Sequence, residues 1–212
     1  MTEYADILDR FARLGAEIYN ADPKKRYPSI GRLVKAPLEP GFLPVEGHPR
    51  IVTVSLYPNE TIIKSSEYSE SRTSMDMWGR SGHVEDYKRA TLPQIPFYRD
   101  FCAPIFARVG IDVTEFAWLP LLKCPLPART AVPEDELRAD RSWLWDQIYP
   151  LKPRVILAQG MEPERVVRPM CDSKFPHVVV LQRIGRFGTN EYRSAEDDRV
   201  VAELNAELAR VG

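Results

Sequence analysis

Leu151-Lys152-Pro153-Arg154-Val155-Ile156-Leu157-Ala158-Gln159-Gly160 is the stretch on which the fold turns. The expected strand runs from Arg154 to Gln159, apolar or uncharged without alternation after Arg154, between Pro153 on one side and Gly160 on the other. That is the pattern of a strand buried on both faces, as in a parallel sheet. Working backwards, Tyr149-Pro150 closes an apolar helical face made by Leu137, Leu144 and Ile148, and Pro133 in Pro133-Glu134-Asp135-Glu136-Leu137 suits the first helical position. Before that comes Lys123-Cys124-Pro125-Leu126-Pro127-Ala128-Arg129, and before that the apolar segment Phe116-Ala117-Trp118-Leu119, which Pro120 closes or bulges. The unit is strand, helix, strand.

The same alternation extends in both directions. Ile51-Val52-Thr53-Val54-Ser55-Leu56 reads as a central strand ended by Tyr57-Pro58-Asn59. Phe97, Phe101, Ile105, Phe106 and Val109 mark a helix stopped by Gly110. Beyond Gly160 the expectation is a short helix over 162–171, a fourth strand from His177 to Leu181, and a last helix opened by a capping box at Ser194-Ala195-Glu196-Asp197 and carrying Val200, Val201, Leu204, Leu208 and Val211. Strands joined by helical crossovers run parallel, with helices on both faces. The expected fold is therefore α/β, a three-layer α/β/α arrangement around a central four-stranded parallel sheet. Tyr4, Ile7, Leu8, Phe11, Leu14 and Ile18 predict an amphipathic helix over 2–20, followed by a proline-rich extended segment over 22–49. Residues 60–95 are polar and aperiodic, a candidate lid. One domain spans 1–212, with 1–50 as an N-terminal extension and 51–212 as the core.

Composition narrows the function classes. A formal net charge of -1 argues against nonspecific coating of nucleic acid, which needs many uncompensated cations, although a local basic loop stays open. Cys102, Cys124 and Cys171 are far apart and form no C-x-x-C pair, so neither a zinc ribbon nor a disulfide framework is indicated, and reduced thiols are expected. No apolar leader and no membrane-length apolar run are seen, which leads to the expectation of a soluble cytoplasmic protein without a membrane partner. The 19 prolines are spread between elements and punctuate ordered connections.

The series Lys123-Cys124-x-Pro, a downstream arginine, Pro133-x-x-Glu136-Leu137 and Leu151-Lys-Pro-Arg-Val-Ile-Leu-Ala-x-Gly160 resembles the uracil-DNA glycosylase superfamily, most closely its iron-sulfur branch. The resemblance covers about residues 50–210 and is specific between Lys123 and Gly160. It implies a uracil-DNA glycosylase-like sheet whose strand ends hold four parts: a water-positioning loop, a stacking aromatic, a base-reading asparagine and a His-Pro-Ser loop. Base excision needs these parts to converge on an extruded base. At the first loop, Ser55-Leu56-Tyr57-Pro58-Asn59 keeps only Pro58 of the family pattern. Counting back from Lys123-Cys124 puts Pro120 where the base-reading asparagine belongs, and proline has no side-chain donor or acceptor. After the fourth strand, Gln182-Arg183-Ile184-Gly185-Arg186-Phe187-Gly188 stands in place of His-Pro-Ser. His48, His83 and His177 fall outside that loop and read as surface or packing residues. Cys124 matches one cluster cysteine, but no second falls near Asp140 and Arg141, and one thiol cannot hold an iron-sulfur cluster. No metal and no cofactor are expected.

Candidate site residues follow from what remains. Glu60 is either a general base, with Asn59 helping to hold water, or a carboxylate at a helix start. Tyr57 and Trp78 could stack a base, or anchor their loops to the core. Arg183, Arg186 and Arg193 around Gly185, Phe187 and Gly188 have the composition for phosphate contact with an apolar wedge, or for pairing with Glu191, Glu196, Asp197 and Asp198 in solvent. Three functions stay open: a scaffold that has lost uracil excision and binds a base, nucleotide or nucleic acid; an active DNA glycosylase for another base, in which Arg183 or Arg186 stabilises the departing base; and a protein-interaction module whose cleft is filled by Tyr57, Trp78 and Phe187.

Overall fold

Ile51–Ser55, Phe116–Pro120, Val155–Gln159 and Val179–Arg183 form four strands, β1 to β4, in a computed structural model. The structure describes residues 2–33, 41, 44, 48–56, 88–89, 92–94, 98–124, 126, 130–174, 179–183 and 190–210. The sheet order is β2-β1-β3-β4 and every pairing is parallel. Ile51 lies opposite both Phe116 and Val155, Ser55 opposite Pro120, and Gln159 opposite Arg183, so the strands end nearly flush. Every residue of β1, β2 and β3 is buried, as their unbroken apolar runs require. Pro120 is accommodated because β2 is an edge strand, where a missing ladder donor costs least.

Helices cover both faces. They are α1 (Thr2–Asn20), α2 (Pro23–Arg26), α3 (Ala103–Arg108), α4 (Arg141–Leu151), α5 (Met161–Lys174) and α6 (Asn190–Ala209). On one face Val52, Val54, Leu119, Ile156 and Ala158 pack with Ile7 and Phe11 of α1, Leu144 and Ile148 of α4, and Val166 and Val167 of α5. On the other, Ile51, Phe116, Trp118 and Leu157 pack with Ile105 and Phe106 of α3 and Val200, Val201 and Leu204 of α6. The three-layer α/β/α arrangement follows. The outer turns of α1 pass beyond the sheet: Leu14 and Ile18 join Tyr27, Ile30, Leu122, Cys124, Leu126 and Trp143 in a third apolar cluster. The Trp143 Nε1 donates to Glu17 Oε1 of α1 at 2.7 Å.

Four elements differ from the sequence expectation. The segment from Pro133 is not one helix with α4. Glu136 and Leu137 donate back to the Pro133 carbonyl, a single tight turn forms over Glu136–Arg138, and α4 begins only at Arg141. The break falls at Asp140, whose carboxylate turns inward instead of capping α4. β4 runs two residues later than expected because Gln182 and Arg183 find ladder partners in Ala158 and Gln159. The final helix starts at Asn190, four residues before the Ser194 box, since Asn190 and Glu191 are themselves favoured helix-start residues. The proline-rich segment contains α2, capped by Asp22 with Pro23 at its start, and a tight turn over Gly31–Leu33.

Thr53 sits in the middle of β1, buried, and its Oγ1 has no hydrogen-bond partner among the described residues. A buried unpaired hydroxyl keeps its desolvation cost without compensation. Thr53→Val preserves the branched shape and removes that group, so it should stabilise the fold by about 1 kcal/mol. The measurement is the urea midpoint at unchanged m-value; a lower midpoint would contradict the assignment.

Candidate functional site

The connection leaving β1 leads to β2 on one side, and the connection leaving β3 leads to β4 on the other. Between two neighbouring strands whose exits diverge, the carboxyl-end edge of a parallel sheet opens into a crevice, the usual ligand position in such folds. Here that position falls between Ser55 at the end of β1 and Gln159 at the end of β3.

The Ser55 Oγ accepts from Trp118 Nε1 at 2.8 Å, which ties the end of β1 to the β2 indole beside it. Pairing then continues past the strands, with Leu121 N donating to the Ser55 carbonyl at 2.7 Å and Leu122 N to the Leu56 carbonyl at 2.9 Å. Gln159 is 8% exposed, and its Nε2 donates to Cys102 Sγ at 3.4 Å in the turn leading into α3. The next residue, Gly160, has φ of +104°, a backbone only glycine adopts without strain, and this lets the chain turn sharply from β3 into α5. Gly41 of the extension, also at positive φ, lies so close to β2 that an added Cβ would stand 2.5 Å from the Trp118 carbonyl oxygen. Gly41 therefore lies directly against β2. Chemically the strand ends offer a hydroxyl and a carboxamide, groups that recognise a ligand edge by hydrogen bonds rather than by charge.

Of the residues singled out from sequence, Pro120 is the last residue of β2 and the register partner of Ser55, at the same edge. Arg183 is the last residue of β4, next to Gln159, and Arg193 belongs to the first turn of α6. Both were expected in a loop; strand and helix extend to include them, for the ladder and helix-start reasons given above. Tyr57, Asn59, Glu60, Trp78, Arg186 and Phe187, with His83 and His177, lie outside the described residues. His48 is exposed and contacts the Leu151 carbonyl through Nδ1 at 2.9 Å, a surface residue tied to the end of α4. Gln159 was quoted only as the end of an apolar run, and its role becomes visible only once the strand order puts it beside Ser55.

Next to this edge lies a buried polar network that long-range folding alone could reveal. Asp140 is fully buried and accepts from the Tyr27 hydroxyl, from Arg26 Nε at 2.9 Å and from Lys123 N at 2.7 Å. Arg26 also donates to the Ala139 carbonyl and lies 3.9 Å over the Trp143 ring. Lys123, equally buried, donates from Nζ to the Pro120 carbonyl at 2.6 Å and to Gln147 Oε1 at 2.5 Å. Glu136 accepts from Ser29 N and from Ile30 N. Burial pushes the Lys123 ammonium down to about 7 and the Cys124 thiol up to about 12; burial and then the Asp140 charge push the Tyr27 phenol upward too. A neutral thiol and phenol in a fully bonded network suit a fixed joint better than a reactive centre. At the opposite end of the sheet Lys88 is buried over the Phe116 ring and donates to the Phe116 carbonyl at 2.6 Å, and burial lowers it to about 7.

Among the described residues no three His, Cys, Asp or Glu side chains are grouped to hold a metal ion, and no helix is long and apolar enough to cross a membrane. Cys102, Cys124 and Cys171 are buried and form no disulfide with one another. Compared with models of known protein families and with curated proteins, the sequence matches none.

Proposed function

We propose that the crevice between β1 and β3 binds a nucleobase, as a free nucleotide or within a nucleic acid, on a scaffold resembling the uracil-DNA glycosylase superfamily in which the groups for uracil excision are replaced. The observation that supports this reading is that the neighbouring strands β1 and β3, whose exits diverge, end in the buried polar residues Ser55 and Gln159, beside a Pro120 that supplies no side-chain hydrogen bond. A carboxamide offers both a donor and an acceptor, the complement of a base edge. Arg183 at the neighbouring strand end, with Arg186 and Phe187 beyond it, is the candidate for the phosphate and stacking contacts.

The test is a titration of fluorescent single-stranded oligonucleotides and nucleotides at several salt concentrations. Nucleic-acid binding that weakens steeply with salt, and that Gln159→Leu reduces about tenfold at an unchanged urea midpoint, supports the reading. Absence of binding at low salt would favour a protein-interaction module. Uracil release from DNA is expected to be nil; release abolished by Glu60→Gln would instead make the protein an active glycosylase.

A further inference from the structure

Independently of the strand ends, a half-open groove of about 470 Å³ runs between α4 and α5, lined by Arg138, Ala139, Arg141, Ser142, Trp145 and Met170. Its volume lies in the range of small-molecule sites. We propose that this groove binds a small aromatic organic phosphate of mononucleotide size, with the phosphate between Arg138 and Arg141 and the ring against Trp145.

The charge balance supports an anion. Arg141 is exposed and makes no ion pair or hydrogen bond among the described residues, and Arg138 has only a loose contact with Glu134 at 3.8 Å. Glu134 is already engaged by Arg165 at 2.5 Å, so one carboxylate serves two guanidinium groups. The acid nearest in sequence, Asp140, is turned to the interior and consumed there by Arg26, Tyr27 and the Lys123 amide, so it does not neutralise Arg141. Asp146, one turn further along α4, faces Arg10 at 3.7 Å. One unpaired and one loosely paired guanidinium, three residues apart, fit a dianionic phosphate, whose three oxygens accept forked donors, better than a single carboxylate. The Ser142 hydroxyl adds a neutral donor in the same wall.

The rest of the groove suits a planar apolar body. Trp145 is half-buried, and its ring is backed by Tyr149 one turn on, with centroids 6.2 Å apart. Met170 is buried and supplies a polarisable wall from α5. Arg141, Trp145 and Tyr149 therefore form one stripe at helical spacing, cation followed by aromatics, an order that matches phosphate followed by base.

The experiment is isothermal titration of the full chain with adenosine 5′-monophosphate, adenosine, ribose 5-phosphate and inorganic phosphate, repeated on Arg138→Gln/Arg141→Gln and on Trp145→Leu. Adenosine monophosphate should bind more tightly than any of the other three. The double arginine variant should weaken it roughly tenfold or more, and Trp145→Leu should weaken it roughly tenfold while leaving ribose 5-phosphate unchanged. Both arginines are on the surface, so the double variant should keep its urea midpoint. No heat of binding at millimolar nucleotide, equal affinity for adenosine, or nucleotide binding unaffected by the arginine pair would overturn the proposal. The last outcome would transfer the nucleotide to the strand-end crevice, and a Gln159→Leu effect in the same titration would identify it there.

Discussion

Asp140→Ala should lower the unfolding free energy by roughly 3–5 kcal/mol, the largest loss expected from any single polar substitution described above. The side chain is fully buried, and three donors from two distant parts of the chain converge on it: the Arg26 guanidinium and the Tyr27 hydroxyl from one, and the Lys123 amide from the other. Removing the carboxylate leaves a partly buried cation and two buried donors without an acceptor. Removing one donor is a smaller event, so Tyr27→Phe should cost only about 1–2 kcal/mol. Urea unfolding followed by circular dichroism measures both. If Asp140→Ala proved no worse than Tyr27→Phe, the network would be peripheral to stability. Asp140→Asn should fall between the two, because the amide retains one acceptor oxygen but loses the charge facing Arg26.

Stability should also rise with pH from about 7 to about 9 and fall again by about 10. Lys88 and Lys123 are held down to about 7 by burial, against 10.5 in the unfolded chain. Between those values the unfolded chain binds more protons than the folded one, so raising the pH favours folding, by up to about 1.4 kcal/mol per pH unit for each lysine. Opposing groups offset that gain from about pH 9 and outweigh it by about pH 10. Burial raises Cys124 to about 12 and Cys171 to about 11 from 9, and Tyr98 to about 12 from 10, so there the native chain holds the extra protons and alkali destabilises it. Urea midpoints at half-unit intervals from pH 6 to 11 should show a maximum between about 9 and 10. A flat profile between 7 and 9 would mean that the two ammonium groups keep their protons in the folded state; Lys88→Met should reduce the rise if they do not.

How much of this was legible in the chain depends on the range of the interaction. β1, β2 and β3 were readable because burial on both faces leaves a local mark, five residues without a charge. The apolar stripe Ile7, Phe11, Leu14, Ile18 announced α1 for the same reason. β4 was misplaced because its last two residues, Gln182 and Arg183, are polar and are held by backbone pairing, which composition does not register. The start of α6 was misread because two sets of helix-start residues compete within five positions. Gln159, Arg26, Tyr27 and Asp140 gave no local signal at all: each has a role only through a partner on another element. The expectations for Tyr57, Asn59, Glu60, Trp78, Arg186 and Phe187 rest on the family resemblance and on residue chemistry, and Glu60→Gln addresses one of them directly.

The strand order has a consequence for how the molecule is made. β1 occupies an inner position, yet both of its neighbours, β2 and β3, are synthesised after it, and β3 only after the whole of α4. On a ribosome the segment Ile51–Ser55 emerges greasy on two sides and with no ladder to join, and it must wait until most of the protein has been translated. Assembly of such distant pairings is intrinsically slow and exposes sticky intermediates. Yield in a living cell should therefore depend on holdase chaperones and elongation rate as well as on the final free energy of the folded state.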